Sequence, residues 1–324
     1  MASSPFLASP DSPGPAHAAL HPDPMRFRTL LAALLAAPLA LAPAATAQDN
    51  PLTEEEGWRS NLAASLAASQ SAFQNWQEGG VNALAATSAL EGSFSRITGR
   101  VRQDHEVRFA FGVLKQDTLD VRKAEDQIRL ASAVLYNAPG PFEPTFSADL
   151  RTQFAAGFDY DPEVDEYPSL VYAPGQQLKV SDFFSPAFLT QSVGVTWDPQ
   201  PSFRARLGLG LKETIVGIER LRPVYGNKLD EAIRVESGLD ALVRFQKEVF
   251  ENVTLRSRLT SFCAFQGFDE APDVLWENGL VMKVNSLLNV TLEGALLYDA
   301  DVSTDVQLKE VLQVGVAYQL IGGE

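Results

Sequence analysis

Phe203-Arg204-Ala205-Arg206-Leu207-Gly208-Leu209-Gly210-Leu211 alternates at every position. On an extended chain, Phe203, Ala205, Leu207, Leu209 and Leu211 share one face and Arg204, Arg206, Gly208 and Gly210 the other, because strand side chains change face with period two. A helix groups residues three and four apart and would mix these sets. The same period recurs along the chain. Val107, Phe109, Phe111 and Val113 oppose Arg108, and Val235, Leu239, Ala241, Val243 and Phe245 oppose Arg234, Glu236, Asp240 and Arg244. Phe146 to Tyr160 and Leu312 to Leu320 repeat it. The pattern predicts about twelve strands, at 58–70, 81–97, 105–115, 126–136, 145–160, 187–197, 202–215, 232–247, 251–265, 273–286, 287–299 and 307–320.

Many of these exceed the globular strand of about five or six residues and suit a tilted strand crossing hydrocarbon, which needs about 9–11. Short connections alternate with longer ones, the longest from Asp161 to Ser185 and from Val216 to Glu231. Trp58, Tyr136, Phe146, Trp197, Phe203 and Tyr318 fall at strand ends on the side of the short connections. Tyr160, Phe265, Trp276 and Tyr298 fall at the opposite ends. Aromatic belts at both interfaces and short turns on one side are expected of membrane barrels. The fold class read from the sequence is therefore all-β, an antiparallel transmembrane (outer-membrane) β-barrel of about 12 strands. A secreted soluble β-barrel or sandwich with the opposite face inward is the competing reading.

The first residues read differently. Residues 1–24 are Pro-, Ser- and Ala-rich and read as an upstream extension before the true start at Met25. Met25-Arg26-Phe27-Arg28, the apolar run Leu30 to Ala42 and Ala45-Thr46-Ala47 have the order of a cleaved signal peptide, 25–47. Residues 48–324 are then a single barrel domain, exported to the outer membrane, where its partners would be membrane lipids and the barrel-assembly machinery. The full chain of 324 residues has one cysteine and a net charge of −15. The first excludes a disulfide framework, and the second argues against nucleic acid as a partner.

On the membrane reading the charged face points to the lumen. Its candidate lining residues are Arg108, Arg151, Arg204, Arg206, Arg234, Glu236, Asp240, Arg244, Arg256 and Arg258, with Glu91, Arg129, Asp149, Glu277, Lys283 and Glu293 on the same face. Arg204, Arg206, Arg256 and Arg258 could form a basic wall selecting a small anionic solute. They could equally belong to an ion-pair network that fills the lumen. A passive channel or small-solute transporter is the leading expectation; a closed interaction barrel binding a partner through its outer loops is the alternative. No catalytic residue, metal ligand or cofactor is predicted. The mature chain has one histidine, His105, read as a solvated turn residue beside Asp104 and Glu106. Cys263 reads as a small apolar residue. Asn75, Trp76, Gly79 and Gly80 read as a structural loop motif between the first two strands.

Asn61-Leu62-Ala63-Ala64-Ser65, Ser69 to Trp76 and Gly79-Gly80-Val81-Asn82-Ala83-Leu84-Ala85, with Arg122-Lys123-Ala124-Glu125-Asp126 and Phe184-Ser185-Pro186-Ala187-Phe188-Leu189, resemble the uncharacterised "domain of unknown function 3078" family. The resemblance implies an outer-membrane-type β-barrel and carries no activity or catalytic residues with it.

Overall fold

Each alternating segment forms a strand hydrogen-bonded to its neighbours. The computed structural model describes residues 56–73, 81–164, 166–173, 175–266 and 271–322. The strands are β1 (Gly57–Ser71), β2 (Ala83–Thr98), β3 (Val101–Gln116), β4 (Arg122–Tyr136), β5 (Phe142–Thr152), β6 (Gly157–Asp159), β7 (Leu178–Ser181), β8 (Ala187–Gln200), β9 (Phe203–Ile215), β10 (Ile233–Phe250), β11 (Val253–Ala264), β12 (Asp273–Lys283), β13 (Leu288–Asp299) and β14 (Ser303–Ile321). Twelve of them close into one barrel in the order β1-β14-β13-β12-β11-β10-β9-β8-β5-β4-β3-β2, all pairs antiparallel. Pairing of β1 with β14, from Ala64↔Tyr318 to Ala68↔Val314, seals the ring. Closure leaves no sheet edge, the condition a sheet must meet to lie in hydrocarbon. The fold is a closed antiparallel barrel of the outer-membrane type.

The predicted span 145–160 is corrected. β5 stops at Thr152, because the Asp126 carboxylate accepts the backbone N–H groups of Phe154 and Ala155 at 2.7 and 2.9 Å and draws the chain off the ladder. Residues 157–159 become β6, which pairs with β7 in a separate two-stranded sheet inside the long connection. The predicted signal peptide and the Asn75, Trp76, Gly79, Gly80 motif lie outside the described residues.

One end of the barrel carries tight turns. Gly99 at φ 55° and Asn252 at φ 63° take the left-handed conformation that two-residue hairpins require. The other end carries the β5–β8 connection and the β9–β10 connection, which contains a 3₁₀ helix, Glu219–Tyr225. We call these the turn end and the loop end. At mid-height β8 and β9 approach so closely that a Cβ on Gly194 would lie 2.1 Å from the Leu207 carbonyl oxygen.

Solvent exposure decides which face is outside. Val193 and Leu209 are each 64% exposed and Leu308 77%. Leu66, Leu84, Leu207, Leu312 and Val314 are exposed on the same surface, far more apolar area than a soluble monomer leaves uncovered. Trp58, Tyr136, Phe142, Phe146 and Tyr318 are exposed near the turn end. Replacing Leu209 by Arg is expected to cost about 2–4 kcal/mol in urea unfolding of the vesicle-refolded protein. An unchanged midpoint would contradict a lipid-facing position.

Candidate functional site in the barrel lumen

The polar parity of each strand points inward, and the charges it carries meet across the barrel. At the turn end, Arg102 of β3 donates to Glu143 of β5 at 2.8 Å and to Asp198 of β8 at 2.9 Å. Arg204 of β9 binds Asp198 at 2.7 Å and Asp104 of β3 at 2.9 Å. At the centre, Arg129 of β4 bridges Asp149 (2.9 Å) and Glu277 (2.6 Å). Arg258 of β11 bridges Asp149 (2.8 Å) and Glu106 of β3 (3.2 Å), which Arg244 of β10 also binds. β11 and β3 stand six places apart in a ring of twelve, as do β4 and β12, so these pairs span the full lumen. Arg206 binds Asp240 at 3.3 Å, and Asp240 accepts from Ser192 at 2.7 Å.

Nearer the β1–β2 side, Arg108 binds Glu91 and, at 3.2 Å, Glu293 of β13; Arg256 reaches Glu91 at 3.3 Å. At the loop end Lys212 holds Asp273 (2.5 Å) and Asp299 (3.2 Å), and Arg234 holds Glu236 (3.1 Å) and Asp301 (2.6 Å). Gly226, at φ 76°, tucks against this last group, where a Cβ would lie 2.9 Å from both Arg234 Nη1 and the Asp301 Cβ. Burial alone would raise the Asp301 carboxyl. The hydrogen bond and charge of Arg234, with the charge of Lys212, hold it below the ordinary carboxylate value.

The expected basic wall therefore takes another form. Arg204, Arg206, Arg256 and Arg258 all lie inside, but each faces at least one carboxylate. Arg151 is the exception among the candidates. Among the described residues no ion pair or hydrogen bond engages its guanidinium, whose Cζ lies 5.0 Å from the centre of the Phe188 ring. Sequence reasoning did not single out Phe188 as a site residue. Its signal was an aromatic on the polar parity of β8, in line with Thr190, Ser192 and Thr196.

The ion pairs do not fill the whole lumen. A cavity of about 910 Å³ is lined mainly by β1, β2 and β11–β14 and reaches Arg108, Arg129, Arg151 and Phe188 on β3, β4, β5 and β8. It extends from Gln246, Lys283 and Gln319 at the turn end to Glu125, Lys309 and Gln153 below the loops. Short side chains make the space: Ala63, Ser93, Gly279, Thr291, Ala295 and Ala317 line it. Across the loop end, Phe188 packs edge-on against Tyr225, whose hydroxyl donates to the Val180 carbonyl at 2.8 Å.

His105 is corrected too. It lies within β3 on the outward face, its Nδ1 2.9 Å from the Ser132 Oγ, rather than in a turn. Asp104 and Glu106 point the other way, to Arg204 and to Arg244 and Arg258, so the three do not form one charged cluster. Cys263 stands opposite Leu239, half-buried, as a free thiol.

Residues 68–158 match the family described as "Protein of unknown function (DUF3078)". The matched stretch runs from the end of β1 to β6 and includes Glu91, Arg108, Arg129, Asp149 and Arg151. Among solved structures, the chain is similar to the translocator domain of autotransporter NalP from Neisseria meningitidis. The identity is 12% and the TM-score 0.34, over 90% of this chain and 97% of that one. It is also similar to OmpT, an outer membrane protein of Vibrio cholerae, at 9% identity and TM-score 0.27, over 83% and 100%. A TodX monoaromatic hydrocarbon channel variant gives 10% and 0.32, over 80% and 77%. The likeness is one of fold alone. No curated protein matches the chain.

Two outcomes are expected. Glu106→Ala strands Arg244, removes one of the two carboxylates of Arg258, and should lower unfolding stability by about 1.5–3 kcal/mol. Arg256→Ala, at a half-exposed pair, should cost under about 1 kcal/mol; equal effects would contradict the cross-lumen role of Glu106. Because the Asp301 carboxyl is depressed in the folded state, its stabilisation is complete above the ordinary carboxylate range and is lost as pH falls through the depressed value. Thermal midpoints of the native protein should drop over that interval more steeply than those of Asp301→Asn. Parallel curves would refute the linkage.

Proposed function

We propose that this protein is an outer-membrane barrel that passes small polar solutes through a narrow conduit along one side of its lumen. The continuous cavity from Lys283 and Gln319 to Glu125 and Lys309 is the observation that carries this reading. The outward apolar surface and the export segment read at residues 25–47 support the location. The turn end would then face the periplasm.

The conduit narrows where Arg108, Glu91, Glu293 and Arg256 converge from four strands. Charged rings at a constriction set ion preference in pores, and this one pairs two cations with two anions. A second reading, a closed barrel that binds a partner through its loop end, draws on the ion pairs that span the lumen between β3 and β11 and between β4 and β12.

Single-channel recording on the refolded, leader-free protein in a planar bilayer separates the two. The conduit predicts small, reproducible steps. Arg108→Ala, which removes one of the two arginines of the constriction and leaves an anionic excess, should raise the conductance and shift it toward cations. A folded barrel without steps in either form would overturn the conduit and leave the closed barrel.

A further inference from the structure

The central ion-pair group is not balanced. Arg129, Arg151, Arg244 and Arg258 face Asp149, Glu277 and Glu106: four cations and three anions. The two ends differ in sign. The turn-end group sets Arg102 and Arg204 against Asp104, Glu143 and Asp198. The loop-end group sets Lys212 and Arg234 against Glu236, Asp273, Asp299 and Asp301. The cavity is lined by eight basic and six acidic side chains, in a chain whose overall charge is −15. An uncompensated positive charge at mid-barrel is therefore a local feature, and Arg151 is where it falls.

We propose that Arg151 is the anchor of a binding subsite for a small organic carboxylate within this cavity. Arg151 is half-buried on the cavity wall, and a guanidinium partly withdrawn from water is best satisfied by a carboxylate. Among the described residues no carboxylate forms an ion pair with it, although Asp149 lies two residues away on the same face. Asp149 is committed to Arg129 and Arg258. The planar fork of arginine donates two parallel hydrogen bonds to a carboxylate. One negative charge neutralises the central group, whereas a doubly charged phosphate would reverse its sign. Phe188 backs the guanidinium with its ring face and fixes the plane of the fork. Phe188 is itself braced by Tyr225, so the platform is held by both large loops. Lys283, exposed at the turn-end mouth of the same cavity and without an ion pair among the described residues, would attract the anion inward.

The inference rests on the conduit reading only for the route by which the anion arrives. Binding is therefore measured at equilibrium, apart from conductance. Trifluoroacetate is titrated against detergent-refolded protein and followed by ¹⁹F NMR line broadening. Folding of each variant is checked by the different gel migration of boiled and unboiled samples. Saturable broadening is expected in the native barrel, displaced by acetate. Arg151→Gln should weaken it at least tenfold, and Arg151→Lys, which keeps the charge and loses the fork, by less. Unchanged affinity in folded Arg151→Gln, or no saturable binding to the folded native barrel, would overturn the proposal. Displacement by phosphate at lower concentration than by acetate would overturn the carboxylate assignment. A barrel that binds without conducting would sink the conduit and leave the subsite standing.

Discussion

A guanidinium facing the middle of a hydrocarbon layer costs about 2–4 kcal/mol, and the orientation of every strand follows from that penalty. β9 alone carries Arg204, Arg206 and Lys212 on one parity and Phe203, Leu207, Leu209 and Leu211 on the other. A slip of one residue in its pairing would turn all three cations to lipid and all four apolar chains to water. The register Gly208↔Gly194 and Gly208↔Asp240 is thus fixed from both sides. The same argument repeated around twelve strands gives one consistent inside and one consistent outside.

Putting most of the strand charges inside creates a second problem, which the ion pairs solve. A guanidinium and a carboxylate taken out of bulk water need each other's hydrogen bonds to offset lost hydration. A twelve-stranded ring is too wide for ordinary apolar side chains to meet in the middle. Arginine and glutamate together are long enough: Arg129 reaches Glu277 at 2.6 Å from halfway around the ring. Where Arg102, Asp104, Glu143, Asp198 and Arg204 meet, at the turn end between β3, β5, β8 and β9, the lumen is filled. Where the strands offer Ala63, Ser93, Gly279, Ala295 and Ala317, nothing spans the gap and the cavity remains. Side-chain length, distributed unevenly around the ring, explains why the open space lies to one side.

Much of this was legible in the sequence, and the limits have physical causes. Period-two alternation is a local property, so strands such as Ala187–Gln200 and Asp273–Lys283 are read within a few residues of their ends. The break after Thr152 was hidden because Phe154, Ala156 and Phe158 continue the alternation. The residue that ends the strand, Asp126, lies on a neighbouring strand. The inward placement of Arg204, Arg206, Arg256 and Arg258 follows from parity alone. Their partners do not, because parity says nothing of distance around the ring. Arg258 meets Glu106 across 152 residues of chain, and no spacing rule connects them. The same limit hid the position of Arg151: that it lacks a carboxylate is a statement about which other strands lie opposite.

The ion pairs also differ in how firmly they hold. Arg102, Arg129 and Arg258 have side chains at most 16% exposed, and each binds at least two carboxylates. Arg256 and Glu91 are 49% and 36% exposed and share one contact at 3.3 Å. Water screens the second kind and leaves it worth little, while the first kind cannot open without stranding a buried charge. Arg102 stands in the filled turn end, whereas Arg129, Arg258 and the loose Arg256–Glu91 pair all border the cavity. Within one cavity wall, then, the same chemistry gives ion pairs that hold firmly and one, Arg256–Glu91, that costs least to displace.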